Sequence, residues 1–414
     1  MGLNSPNLTE PDQQQSLVIG EGGYGCVHKP SLKCDKNESI NQSLSSLSSY
    51  NGKVSKLLLT KDAIKELDNL KIVDEIDQQK QFHLNMPVKC EPDLSQETMA
   101  GIKRCRNSKV IQKNLAKYSL LVMDDGGMTL RKYRQSGAGK ILNKPFLEAV
   151  LNLLQGVESF LTKGYIHRDI KSDNLVYNQN TFQAKFIDFG LMTTSKQLEQ
   201  GCRTNKYNMF SDFYFACPME AYFALQGNFD KFKLPDPYST LDSRQRKGFS
   251  SAFSTYCKEI SPPGTKCDSA IISIMHNFNL KMANSALTYD EFLSKLIKTF
   301  DSYGLGMALK CVFNGLDMRL NSEKDDIKII DAFLALFTKM STPDLIDRIF
   351  IEDAIKEYKS ILQNYSQQKG DTGGAGRGGG RLCRKGGGKT RRCKIKRIKS
   401  IKKTKKHNVS RRLS

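Results

Sequence analysis

The hydrophobic period of this chain changes at the Asp124-Asp125-Gly126-Gly127 turn, and that change restricts the fold more than any other feature. Ahead of the turn the apolar runs are short: SLVIG (16–20), a second run near CVHKP, KVSKLLL (53–59) and YSLLVM (118–123). Each has the length of a strand and is bounded by glycines or a polar loop. One helical pattern interrupts them, KDAIKELDNLKIVDEID (61–77), with Ile64, Leu67, Leu70, Val73 and Ile76 at helical spacing. Behind the turn, PFLEAVLNLLQGVESFLTKG sets Phe146, Val150, Leu153, Leu154, Val157, Phe160 and Leu161 on one stripe. It ends at Lys163-Gly164, a cation and a glycine where a helix C-terminus favours them. The pattern between residues 300 and 365 is helical again. Strands first and helices after predict an α+β, two-lobed architecture.

Composition sets the boundaries. The chain has 414 residues, enough for one large two-lobed domain or two domains, and 39% hydrophobic residues, enough for a sizeable core. A polar segment (1–15), a strand-rich part (16–126), a helical part (127–366) and a Gly-rich, Lys/Arg-rich tail (367–414) follow one another. Residues 371–414 hold 17 Lys/Arg against a single acidic residue, Asp371, so +16 of the formal +21 charge sits there. Such a segment is expected to be disordered and to bind polyanions, nucleic acid or anionic membrane, with strong salt dependence. It has no interleaved aromatics, so base stacking is not implied. A nuclear address is equally compatible with it. No apolar run is long enough to span a bilayer, and MGLNSPNLTEPDQQQ lacks the core of a signal peptide. Eleven cysteines at irregular spacing, with no Cys-x-x-Cys, point away from a disulfide framework or zinc site. They suggest free thiols in a reducing, intracellular compartment.

Charged and amide side chains crowd into GYIHRDIKSDNLVYNQNTFQAKFIDFG (164–190). His167-Arg168-Asp169 is followed five residues on by Asn174, and Asp188-Phe189-Gly190 closes a strand. Phosphoryl transfer from ATP needs a phosphate cover, a cation, metal ligands and a carboxylate that orients the acceptor hydroxyl. Each has a candidate here, in that order. HRDIKSDN with DFG resembles the catalytic core of eukaryotic-type serine/threonine protein kinases, over residues 16–360. GGYGCVHKPSLKC, the long loop before the lysine and PMEAYF resemble kinases encoded by nucleocytoplasmic large DNA viruses.

That resemblance implies a bilobal protein-kinase-like fold with a small β-rich N-lobe and a larger helical C-lobe. It also implies ATP with Mg2+ or Mn2+ as cofactors and protein substrates phosphorylated on serine or threonine. Gly20-Glu21-Gly22-Gly23-Tyr24-Gly25, continuing to Val27, matches the phosphate-covering loop. Lys56 corresponds to the phosphate-binding lysine, with Lys53 as competitor, and Glu66 to its helix partner, with Glu75 as second choice. Asp169 would orient the acceptor hydroxyl, Lys171 would sit against the γ-phosphate, and Asn174 and Asp188 would hold metal. Val27, Val54, Val176, Met123 and Asp124 would line the adenine site. Phe189 would pack with Leu70 and His167. Glu220 would pair with Arg348 or Arg319, and Asp301 would open a buried helix bracing the catalytic loop. Residues 221–298 would then be an insertion. Thr193, Thr194, Ser195, Thr204 and Ser211 are hydroxyls in the segment where loop phosphorylation switches such enzymes. If viral, the setting is host cytoplasm, nucleus or virion. The alternative is a pseudokinase or nucleic-acid-associated scaffold using the same fold to bind partners. The presence of Lys56, Asp169, Asn174 and Asp188 together argues against it.

Overall fold

The short apolar runs of the first third of the chain form strands. They are β1 (Leu17–Gly22), β2 (Gly25–Lys29), β3 (Lys53–Leu59), β4 (Val88–Cys90) and β5 (Tyr118–Asp124). They form one antiparallel sheet in the order β1-β2-β3-β5-β4. The structure, a computed structural model, describes residues 15–22, 25–35, 50–136, 143–206, 215–234, 237–260, 280–281, 284–315 and 324–373. The chain divides after Lys369 into two units. Residues 367–373 of the expected tail are helical; the expectations for the tail beyond residue 373 lie outside the described residues, as do those for Gly23, Tyr24, Ser211 and Arg319.

Register decides what each face of the sheet carries. Lys56 stands opposite Val27 and Leu121, and Val54 opposite Met123. Side chains alternate along a strand, so Val27, Val54, Lys56, Leu58, Leu121 and Met123 share one face. Helix α1 (Thr60–Ile76) covers that face, Ala63 packing with Leu58 and Leu121. Cys26, Leu57, Leu120 and Val122 occupy the other face, under α2 (Gln96–Ile102) and α3 (Ser108–Lys113). The expected α1 stripe is turned from its predicted position. Ala63, Glu66, Leu70 and Val73 are the buried residues, and Ile64 is 47% exposed. Glu66 faces inward because it has a cation to meet there.

The free-thiol expectation fails on the second face. Cys26 is bonded to Cys105 and Cys34 to Cys90, and Cys257 is also in a disulfide. Partners 79 and 56 residues apart show no pattern in sequence, yet folding brings β2, β4 and the α2–α3 connection together. Proximity in space, rather than spacing in sequence, decides whether a pair can form. Cys202 and Cys217 are buried free thiols, and Cys311, also buried and outside these disulfides, accepts from Arg134 Nη1 at 3.1 Å.

Past the turn come β6 (Met128–Thr129), α4 (Leu130–Gln135) and α5 (Lys144–Thr162). Asn143 caps α5 by accepting a hydrogen bond from Phe146 N at 2.9 Å, and Gly164 ends it with φ of 78°. Its stripe is buried as expected, with Leu161 at the margin. The short strands β7 (Tyr165–Ile166), β8 (Leu175–Asn178), β9 (Gln183–Phe186) and β10 (Thr193–Thr194) form two small sheets, β6-β8-β9 and β10-β7. Helices α6 (Ser195–Arg203), α7 (Gln226–Phe232), α8 (Ser243–Ile260), α9 (Tyr289–Phe313), α10 (Lys324–Ser341) and α11 (Ile351–Gly373) complete the described chain. Helix α9 starts at a Thr288/Glu291 capping box and is buried along most of its length. Asp301 therefore lies in mid-helix, not at its opening, and residues 289–298 form the first turns of the same helix. Among the described residues no helix is long and apolar enough to cross a membrane.

The turn after α1 is braced by one carboxylate. Asp77 accepts from Gln81 N and Phe82 N at 2.8 Å, from His83 N at 3.2 Å, and contacts His83 Nδ1 at 2.8 Å. Phe82 O in turn accepts from Phe186 N at 2.8 Å, which fixes the strand leading to Asp188. Burial works against the charge on Asp77, but His83 and the backbone donors prevail and lower its pKa. A lowered folded pKa stabilises above the unfolded value, near 3.9, and the contribution disappears as pH falls through the folded value. Asp77→Ala should cost about 1–3 kcal/mol at pH 7. In urea unfolding, the gap between wild type and variant should shrink at pH 3; a constant gap would contradict this account.

Candidate functional site

Lys56 points from β3 into the protein at 8% exposure. Its Nζ lies 2.7 Å from Glu66 Oε2 on α1 and 3.0 Å from Asp188 Oδ1, just after β9. Burial alone would strip the proton from this ammonium. The Asp188 and Glu66 carboxylates outweigh burial and raise the pKa. Burial likewise pushes Asp188 upward, but Lys56 reverses the sign and holds it below the ordinary carboxylate range. The competitor Lys53 is on the opposite side of β3 and pairs with Asp124 at 2.6 Å. Glu75 is exposed.

The loop from His167 to Asn174 is held from beneath. Asp301 Oδ2 accepts from His167 N at 2.6 Å, and Oδ1 from Arg168 N at 2.9 Å. Helix α9 comes so close at Gly304 that a Cβ there would sit 2.6 Å from Ile170 O. Above this floor, Asn174 Nδ2 donates to Asp169 Oδ2 at 2.8 Å and to Asp169 O at 2.9 Å. Lys171 Nζ lies 3.0 Å from Asp169 Oδ2. With its amide nitrogen engaged, Asn174 has its Oδ1 to offer a cation. Asp188 follows Ile187, whose N donates to Asn174 O at 3.0 Å, and offers a half-buried carboxylate. Both are hard oxygen donors of the kind Mg2+ takes.

Two non-glycine residues here have left-handed backbone, Arg168 with φ of 70° and Asp188 with φ of 64°. Such conformations cost about 1–3 kcal/mol each and persist only where surroundings fix them. The fixing groups are identifiable. Asp301 holds the Arg168 amide, and Phe189 is clamped by the His167 ring, with centroids 4.8 Å apart, and by Asn69 Nδ2, which donates to Phe189 O at 2.7 Å. Leu70 belongs to the same core as Phe189. Asn69 escaped sequence reasoning because a polar residue at the edge of a helical stripe looks solvated.

The glycine-rich turn is the tip of the β1–β2 hairpin, where Glu21 pairs with Cys26 and Gly22 with Gly25. A Cβ at Gly25 would meet Leu57 O at 2.6 Å, so Gly25 is required by packing on β3; Gly22 faces open space. The apolar candidates converge by register: Val27, Val54 and Met123 share the Lys56 face. Val176 reaches the 124–127 turn, 2.6 Å from where a Gly126 Cβ would be. Asp124 turns instead to Lys53 and Asn85. Glu21 Oε1 accepts from Arg106 N, so its carboxylate is directed away from the tip. Of the hydroxyls in the 193–204 stretch, Thr194 caps α6, and Thr204 Oγ1 donates to Gln200 O.

Farther out, Glu220 and Arg348 form a fully buried ion pair, 2.6 Å between Oε1 and Nη1. Arg348 also donates to Thr342 O and stands over the Tyr303 ring.

No family model matches the chain. A stretch of 74 residues is 32% identical to the serine/threonine-protein kinase 1 of African swine fever virus, in the Pretoriuskop, Warthog and Badajoz isolates. It is 18% of this chain and 23% of the viral protein, so the likeness spans under a quarter of the relative's length.

Removing one member of a buried ion pair leaves the other charged and unpaired, at about 3–5 kcal/mol. Glu220→Gln and Arg348→Met should each lower stability by that order, while the double variant should lose less than their sum. Additive losses in urea unfolding would show that the two groups do not act as a pair.

Proposed function

We propose that the chain is an ATP-dependent serine/threonine protein kinase with a bilobal kinase-like fold. The observation that carries this reading is the Lys56 ammonium held between Glu66 and Asp188, with Asp169 and Asn174 joined by a hydrogen bond on the neighbouring loop. In the proposed complex Lys56 contacts the phosphates of ATP, and Val27, Val54, Met123 and Val176 enclose the adenine. Asp169 orients the serine or threonine hydroxyl and accepts its proton as the oxygen bonds to the γ-phosphorus and ADP leaves. Lys171 stabilises charge on the transferred group. Asn174 and Asp188 would hold Mg2+ or Mn2+, which supplies charge neutralisation on the phosphates when bound. The likeness to a viral serine/threonine-protein kinase supports the same class. The reading extends to a viral kinase acting in host cytoplasm, nucleus or virion.

Purified full-length protein with ATP and Mg2+ should label a generic protein acceptor on serine or threonine. Asp169→Asn and Lys56→Met should each lose at least about 100-fold in rate. Phosphoamino-acid analysis identifies the acceptor. Equal label from wild type and Asp169→Asn, or none from wild type across varied acceptors, would favour a binding scaffold instead.

The +16 segment, residues 371–414, is proposed as a polyanion tether. Its deletion should spare phosphate transfer and weaken binding to DNA or anionic vesicles, most strongly at low salt. Unchanged binding after deletion would remove this role.

A further inference from the structure

The β1–β2 hairpin carries a second polar cluster, on the sheet face turned away from Lys56. Cys26 and His28 are two apart on β2 and so share that face. Glu21 stands opposite Cys26 across the hairpin, and the α2–α3 connection delivers Cys105. His28 Nε2 lies 3.8 Å from Cys26 Sγ and 3.6 Å from Cys105 Sγ. Glu21 Oε1 lies 3.6 Å from Cys26 Sγ. Cys26, His28 and Cys105 are all buried, and among the described residues they are the one group of Cys, His, Asp and Glu so gathered.

These separations have a meaning. A tetrahedral ion with sulfur at about 2.3 Å and nitrogen or oxygen at about 2.0–2.1 Å has nitrogen–sulfur and oxygen–sulfur edges of about 3.6 Å, and a sulfur–sulfur edge of about 3.8 Å. The two His28–sulfur separations and the Glu21–sulfur separation fit those edges. The two sulfurs are covalently joined, and Glu21 is near Cys26 but is not gathered with His28 and Cys105.

We propose that this cluster is a redox-gated metal site: a disulfide when oxidised and, once reduced, a three-ligand Cys26-Cys105-His28 site for Zn2+. A dithiol reductant supplies the two electrons and two protons that convert the S–S bond to two thiols, itself becoming a cyclic disulfide. Zn2+ then displaces both thiol protons and binds two thiolates. The imidazole suits this use. While the disulfide stands, its Nε2 donates to Gly101 O at 3.2 Å; its Nδ1, without a partner among the described residues, takes the ring proton when Nε2 ligates. In both states the cluster ties the glycine-rich hairpin to the α2–α3 connection. The inference does not depend on the kinase reading, because its test measures no phosphate transfer.

Full-length protein, reduced with a phosphine that is then removed without air, is titrated with Co2+ alone. One ion per chain should bind, with thiolate-to-cobalt charge transfer and tetrahedral visible bands that vanish when Zn2+ is added. Cys105→Ser and His28→Gln should lose those bands, whereas the Cys34→Ser, Cys90→Ser double variant should keep them. A readout free of variants is alkylation mapped by mass spectrometry, in which Zn2+ should protect Cys26 and Cys105 but not Cys34 and Cys90. Reduced wild type without a thiolate–cobalt band, or Zn2+ protection confined to other cysteines, would overturn the proposal.

Discussion

A lysine ammonium withdrawn from water loses several kcal/mol of hydration, and only opposite charges at close range can offset that loss. In this chain the carboxylates come from two remote elements, α1 and the segment after β9. The central sheet, the helix laid on it and the strand pair beyond the 124–127 turn must therefore adopt one mutual arrangement, or Lys56 is left buried and unpaired. Much else follows from satisfying that charge. Glu66 turns inward and Ile64 outward, the Asp77 brace holds the approach to Phe186, and Asp188 keeps a backbone conformation that side chains ordinarily avoid.

The site was legible where chemistry is carried by residue type and order. The structure brings Lys56 to Asp188 and Asp169 to Asn174, residues that sequence reasoning had singled out as candidates. Register separates Lys56 from Lys53, because alternation sends one inward and the other to Asp124 at the end of β5. Two expectations slipped for the same reason. Helical periodicity put Ile64 on the packed face, and a motif-sized view of Asp301 made it a helix opening. Apolar spacing reports average burial and cannot anticipate that a charged residue will claim the inner face when a partner waits there.

The cysteines were illegible for a different reason. Sequence spacing carries information about a disulfide only when the intervening chain is short or regular. Here a loop, a helix and a strand intervene between Cys34 and Cys90, and more still between Cys26 and Cys105. The geometry draws on residues from Lys56 to Arg348, a span that a match of 74 residues cannot contain.

Asp301 reaches back 134 residues to cap the amide of His167. On a ribosome adding about 5–20 residues per second, the loop emerges some 7–27 s before the group that shapes it. During that interval helix α5 can already form, while His167 and Arg168 remain in water with no floor beneath them. Maturation of the loop is thus tied to completion of α9, and a nascent chain stalled before residue 301 would hold the loop's sequence without its geometry.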